Sequence, residues 1–63
     1  MTQKELLYVE DAVEHEKAII DICYDSINKL SNSDLKDFFE EQITVHERMK
    51  EELLSLLKEI INE

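Results

Sequence analysis

The chain has 63 residues, contains neither glycine nor proline, and carries 16 acidic against 7 basic side chains for a formal net charge of −9 at pH 7. A chain with this much negative charge repels phosphate backbones and anionic lipid headgroups. We therefore expect no nucleic-acid partner and no membrane partner. Tight turns are scarce without Gly and Pro, and the composition is rich in helix-forming residues. We therefore predict one all-α domain over residues 1–63.

The cellular compartment is predicted from the lack of targeting segments and of paired cysteines. The first residues do not place an apolar core behind a basic stretch, and no run is apolar and long enough to span a bilayer, so neither a signal peptide nor a transmembrane segment is expected. Cys23 is the lone cysteine, which rules out an intrachain disulfide. A reducing or redox-indifferent compartment is the expectation, with the cytoplasm as the predicted location, and an inert buried thiol is favoured over a nucleophile.

The first predicted helix covers residues 3–30. Thr2 followed by Glu5 has the spacing of a capping box, which marks a helix start. Apolar residues then recur in steps of three and four, and Glu16 is the one polar member of that seam. The seam comprises Leu6, Val9, Val13, Glu16, Ile20, Cys23, Ile27 and Leu30, and a second stripe beside it comprises Tyr8, Ala12, His15, Ile19, Ile22 and Ser26.

The link between the helices is predicted at Leu30–Leu35. One interpretation makes Asn32 a left-handed C-terminal residue and Ser33 the N-cap of the second helix. The other makes Ser31 and Asp34 a capping box, with Leu30 and Leu35 in contact as a hydrophobic staple. Both leave only a few residues in the link, so both predict an antiparallel two-helix hairpin.

The second predicted helix covers residues 34–61. Its apolar residues again form a wide face with steps of three and four. We predict a buried seam of Leu35, Phe38, Gln42, Val45, Met49, Leu56 and Ile60, flanked by Phe39, Ile43, His46, Leu53, Leu57 and Ile61.

Each helix therefore has an apolar face wider than one neighbouring helix can cover. The simplest remedy is a second copy, which gives a homodimeric four-helix bundle. A hairpin that completes its bundle with a different chain is the alternative, and so is a hairpin that regulates another protein. The predicted dimer interface comprises Val9, Val13, Ile19, Ile20, Ile22, Phe39, Met49, Leu53, Leu56 and Leu57.

Polar residues are expected at half height. In a hairpin centred near residue 32, Glu16 lies level with the turn His46–Met49, because both helices rise 1.5 Å per residue. Carboxylate and imidazole inside a helix bundle are ligands for a divalent metal, with His15, Gln42 and Met49 as possible outer contributors. However, Ile43 stands where a Glu-x-x-His step would place its carboxylate. A buried Glu16–His46 ion pair that fixes helix register is the favoured interpretation.

Enzymatic function is not indicated. The sequence contains no Gly-rich phosphate loop, no paired-cysteine zinc pattern and no recognisable nucleophile–base arrangement. The expected function is therefore non-catalytic. No cofactor is expected by default, and iron or another divalent metal is the alternative.

A family resemblance rests on Glu16-Lys17-Ala18, Tyr24, the link Asn32-Ser33-Asp34-Leu35, Phe39 and His46. This pattern resembles the coat-F-type spore coat proteins and, more distantly, the ferritin-like superfamily. The resemblance implies a ferritin-like four-helix bundle, here built from two hairpins, in a spore coat or a cytoplasmic assembly with other proteins. In its metal-binding members, Glu16 would match the first-helix carboxylate and His46 or Met49 the second-helix ligand.

Overall fold

The computed structural model describes residues 1–62 and contains two helices joined by a short link. Helix α1 spans Gln3–Lys29 and helix α2 spans Ser33–Ile61, and the two pack against each other along their length. The described residues form no strand. The predicted all-helical hairpin is confirmed, and the predicted helix ends are correct to within one residue.

Helix α1 begins with the predicted capping box. The backbone N–H of Thr2 donates to Glu5 Oε1 at 2.8 Å, and the backbone N–H of Glu5 donates to Thr2 Oγ1 at 3.1 Å. These bonds satisfy groups that a helix start otherwise leaves without partners. The hydrogen bond from the Thr2 backbone, followed by that with its side chain, lowers the pKa of the Glu5 carboxyl below its ordinary value.

The link differs from both interpretations of the sequence. Asn32 is the N-cap of α2, and its side-chain oxygen accepts from the backbone N–H of Leu35 at 3.0 Å. Its φ of −75° is not left-handed, and Leu30 closes α1 in an extended conformation. Thus Ser33 is not the cap, and Ser31 and Asp34 form no capping box. The reason is that an asparagine at this position satisfies a free donor of the first turn and starts the helix at Ser33.

The predicted seam of α1 is confirmed. Val13, Glu16, Ile20 and Cys23 are buried against α2, and the remaining seam residues towards each helix end are half-buried. Cys23 is a free and buried thiol, as expected. One face of α1 therefore supplies most of the interior of the hairpin.

Five members of the predicted α2 seam are wrong by one position, whereas Gln42 and Ile60 are half-buried. Leu35, Phe38, Val45, Met49 and Leu56 are between 43% and 55% exposed, whereas Ile43 is buried. The α2 residues that are buried or half-buried at steps of three and four are Lys36, Phe39, Ile43, His46, Lys50, Leu53, Leu57 and Ile60.

The choice of stripe in α2 has a physical reason. Glu16 lies in the α1 seam, and a buried carboxylate requires a hydrogen-bonding partner. Only the stripe that contains His46 brings such a partner inward at the level of Glu16. The two lysines of that stripe, Lys36 and Lys50, are half-buried. A lysine tolerates this position because its long apolar stem can be buried while its charge stays in water.

The hairpin is thin. Its Cα positions extend over 47 × 16 × 11 Å, and no side chain among the described residues is less than 2% exposed. Neither helix is apolar enough over a sufficient length to cross a membrane, as judged on residues 1–62. The interior is a single layer of contacts, and both broad sides of the hairpin face outward.

Candidate functional site

A polar pair joins the two helices at half height. The Nδ1 atom of His46 lies 2.5 Å from Glu16 Oε2, across a separation of 30 residues in the chain. The two side chains are 19% and 11% exposed, respectively. Because an ionised carboxylate can only accept, Nδ1–H of His46 donates in this bond when Glu16 is ionised. The predicted proximity of these two residues is confirmed.

The pair leaves no buried polar atom unsatisfied. Among the described residues, every buried side-chain nitrogen or oxygen has a hydrogen-bond partner. A slip of one turn between the helices would separate Glu16 from His46 and leave a carboxylate in an apolar seam, which is unfavourable. The geometry therefore suits a pair that fixes the register of the hairpin.

The other predicted metal ligands lie elsewhere. His15 and Met49 are exposed and Gln42 is half-buried, on the stripes next to the inward seam. No group of three His, Cys, Asp or Glu side chains in residues 1–62 is arranged to hold a metal ion. One chain thus offers one carboxylate and one imidazole, and metal binding at Glu16 and His46 stays a prediction that needs ligands from a second copy.

A second feature is an exposed apolar surface on one broad side of the hairpin. In both helices, each residue of this surface stands one position before a residue that faces the other helix. Ile22 stands before Cys23 in this way, and Val45 before His46. When two right-handed helices pack antiparallel, the residues one position before the contact residues lie on the same side of the pair in both helices. The stripes of α1 and α2 are therefore neighbours. We call this surface the apolar face; its main members are Tyr8, Ile19, Ile22, Leu35, Phe38, Val45, Met49 and Leu56.

The opposite broad side is formed by the residues one position after those that face the other helix, and it is mostly charged. Leu7, Tyr24, Leu54 and Ile61 lie there, separated from one another by charged residues. Single exposed apolar residues of this kind are ordinary on a protein surface. We call this surface the acidic side; its charged members are Glu10, Glu14, Lys17, Asp21, Asp37, Glu40, Glu47, Glu51 and Lys58.

The apolar face is continuous with the interior. Phe38 on the face packs edge-on against Phe39 of the inward seam, with ring centroids 5.5 Å apart and an interplanar angle of 75°. This arrangement is a favourable one for aromatic rings. At the open end, Lys4 Nζ lies 5.9 Å from the ring centroid of Tyr8. The face thus extends from near the open end of the hairpin to its link.

The residues predicted at a dimer interface fall into two groups. Ile19, Ile22, Met49 and Leu56 lie on the apolar face. The others belong to the seam inside the hairpin, where Val13 and Ile20 are buried and Val9, Phe39, Leu53 and Leu57 are half-buried.

Sequence reasoning missed three members of the apolar face. Leu35, Phe38 and Val45 were assigned to the buried seam of the second helix, and they are exposed. The signal that could have found them is Glu16. Since a buried carboxylate needs a partner, the stripe that contains His46 should have been placed inward and these three residues outward.

No family model, no curated protein and no solved structure matches this chain. The resemblance to coat-F-type and ferritin-like proteins accordingly stays a prediction.

Proposed function

We propose that this chain is a non-catalytic structural protein that works as a homodimer, with two hairpins forming one four-helix bundle. One observation carries the proposal. Within residues 1–62, only Val13, Ile20, Cys23 and Ile43 are buried apolar residues, while many large apolar side chains remain exposed.

The size of the chain supports this function. Below about 70–80 residues a single core rarely supplies more than about 3–5 kcal/mol of stability, and small domains commonly rely on disulfides, metals or partner chains. The lone Cys23 is buried, so no disulfide within the chain is available. Burial of apolar surface stabilises by about 25 cal/mol per Å², so covering the exposed residues with a partner chain would stabilise the hairpin. A building block of this kind agrees with the predicted resemblance to spore coat proteins.

Sedimentation equilibrium of the untagged protein, with circular dichroism on the same samples, tests the proposal. We expect twice the mass of the 7.5 kDa chain at micromolar concentration. Helicity should fall on dilution, because a thin hairpin loses the surface that stabilises it. A fully helical monomer at tens of micromolar would contradict the proposal.

A second candidate function is divalent-metal binding by a ferritin-like module, and the Glu16–His46 pair favours it. Two copies would together supply two carboxylates and two imidazoles, which is a suitable donor set for iron or another divalent metal. The residues of one chain do not suffice, so this function depends on the dimer.

Metal analysis of the dimer tests that candidate. Protein purified without chelator should contain metal in proportion to dimer, and Glu16→Gln together with His46→Gln should remove it. Glu47→Gln, an exposed carboxylate next to His46 on the acidic side, is the matched control and should leave metal content nearly unchanged. If the wild-type dimer stays metal-free after incubation with Fe²⁺, Mn²⁺ and Zn²⁺, this candidate fails and the structural function is unaffected.

A further inference from the structure

We propose that a second copy of this chain covers the apolar face, with the links of the two hairpins at opposite ends of the bundle. The inference rests on the proposed homodimer and adds its interface and its orientation. Both follow from the distribution of apolar and charged residues over the two broad sides of the hairpin.

The size of the apolar face suits a stable dimer. The broad side of the hairpin measures 47 × 16 Å between Cα positions, a footprint of about 750 Å². Stable protein interfaces of standard size bury about 800 Å² on each partner. One identical hairpin laid on this side therefore reaches the expected area without any other contact.

The shape of the face identifies the occupant. Its two stripes run nearly the full length of both helices with steps of three and four, so a fitting partner must present two antiparallel helices of equal length with apolar stripes. A second copy meets that requirement. Two identical faces related by a two-fold axis are also self-complementary by construction.

The charges favour this side over the other. In the part of the chain that the structure describes, the side with the apolar face carries the charged residues Glu5, Lys29, Glu52 and Glu59, whereas nine charged residues stand on the acidic side. Two acidic sides in contact would bury carboxylates against carboxylates at considerable expense of free energy. Pairing through the apolar face instead leaves both acidic sides in water.

The same four charges determine the orientation. The three glutamates lie in the half of the face towards the open end of the hairpin, and Lys29 lies next to the link. If both links were at one end, six carboxylates of the dimer would meet at the other end. With links at opposite ends, each set of three glutamates instead lies at the same end as Lys29 of the other copy.

The positions of the charges along α1 are consistent with links at opposite ends. Lys29 and Gln3 each lie 13 positions from Glu16, in opposite directions. A two-fold axis across the helices at the level of Glu16 therefore brings Lys29 level with the first turn of α1 of the other copy, which contains Glu5. Lys29 already contacts Asp25 at 2.8 Å and is highly exposed, and an ammonium group has donors for more than one acceptor.

Paired substitutions test which side is used. Val45→Glu and Leu54→Glu add the same charge to the same helix at residues 44% and 39% exposed, on the apolar face and the acidic side respectively. We expect Val45→Glu to weaken dimerisation at least tenfold in sedimentation equilibrium, with helicity retained at high concentration, and Leu54→Glu to change it less than threefold. A dimer disrupted by Leu54→Glu alone would overturn the assignment of the face and leave the homodimer in place.

Distance measurement tests the orientation. A spin label at Ser31→Cys, in a Cys23→Ala background, reports the separation of the two links by double electron–electron resonance. Opposite links predict a separation close to the 47 Å length of the hairpin, whereas links at one end predict about 10–20 Å, set by helix packing distances. The short distance would overturn the orientation only. A monomeric wild-type protein would overturn both this inference and the proposed function.

Discussion

The two helices of the hairpin use their apolar residues differently. In α1 a single seam is clearly the most apolar, and the structure buries it around Val13 and Ile20. In α2 two stripes of similar apolar content lie one position apart, and only Ile43 of the inward stripe is buried. Helical periodicity predicts that α2 has a wide apolar surface. Which part of that surface faces α1 depends on the position of His46, the hydrogen-bonding partner of Glu16.

The two stripes of α2 have different structural roles. Its inward stripe holds the hairpin together through Phe39, Ile43 and Leu53, and includes the hydrogen bond from His46. Its outward stripe, with Phe38 and Val45, contacts little within the chain and remains available to a partner. The following predictions distinguish these roles, from the largest expected effect to the smallest.

Truncating the inward stripe should have the largest effect. Ile43 is 8% exposed, and Ile43→Ala should lower the free energy of unfolding by about 2–4 kcal/mol, since it removes buried methyl groups and leaves a cavity. Val45→Ala is the matched outward control, and its effect should grow with protein concentration because it weakens the dimer. Urea denaturation at two protein concentrations measures both. A larger loss for Val45→Ala at high dilution would show that the stripes are reversed.

Breaking the polar pair should come second. His46→Ala removes the partner of the nearly buried Glu16 carboxylate, and we expect a loss of about 2 kcal/mol, within the range for unsatisfied charged groups. Changing both residues to leucine should recover most of that loss, because an apolar pair needs no hydrogen bond. Urea denaturation of the single and double variants gives the answer. A double variant less stable than His46→Ala would contradict the view that the pair chiefly fixes register.

Removing the N-cap of α2 should have a smaller effect. Asn32→Ala deletes the acceptor for the backbone N–H of Leu35 and should lower the free energy of unfolding by about 1 kcal/mol. Ser33→Ala changes the neighbouring residue, which makes no capping bond, and should alter stability by less than about 0.5 kcal/mol. Equal losses for the two variants would indicate that Ser33 shares the cap.

The capping box of α1 should give the smallest effect, visible as a pH dependence. The pKa of Glu5 is lower in the folded chain because of its hydrogen bonds with Thr2. Its contribution to stability is therefore fully present above the unfolded pKa of about 4.3 and is lost as pH falls through the lower folded pKa.

Carboxyl ¹³C titration by NMR can measure this effect. Thr2→Ala removes the hydroxyl, the second of the two Thr2 causes of the lowered pKa, so the pKa of Glu5 should rise part of the way towards its ordinary value. The backbone N–H of Glu5 also loses its acceptor, so the first turn of α1 should fray already at neutral pH. An unchanged Glu5 titration in Thr2→Ala would mean that the side chain of Thr2 does not hold the carboxyl in place.

Much of the fold could be predicted because its signals are local. The capping box at Thr2 and Glu5, the steps of three and four, and the absence of Gly and Pro each depend on neighbouring residues. The cap at Asn32 was assigned incorrectly, since Asn, Ser and Asp are all good caps and they follow one another here. Only the bond to Leu35 distinguishes them.

The candidate site was predictable in part. The level of His46 opposite Glu16 follows from equal helical rise, and the contact is confirmed. His15 and Met49 do not join that pair, because each stands one position before an inward residue, Glu16 and Lys50 respectively. One position along a helix turns a side chain by about 100°. Leu35, Phe38 and Val45 of the apolar face escaped prediction for the same reason, since a shift of one position exchanges the inward and outward stripes of α2.

The most direct test of the apolar face is solvent paramagnetic relaxation of side-chain methyl groups in the wild-type protein at high concentration. A soluble gadolinium chelate relaxes exposed methyl groups, and a single sample reports both broad sides. Ile22, Val45 and Leu56 should relax slowly because a second copy covers them, whereas Leu7 and Leu54 on the acidic side should relax fast. Fast relaxation of all five, which are similarly exposed in the single hairpin, would contradict the account.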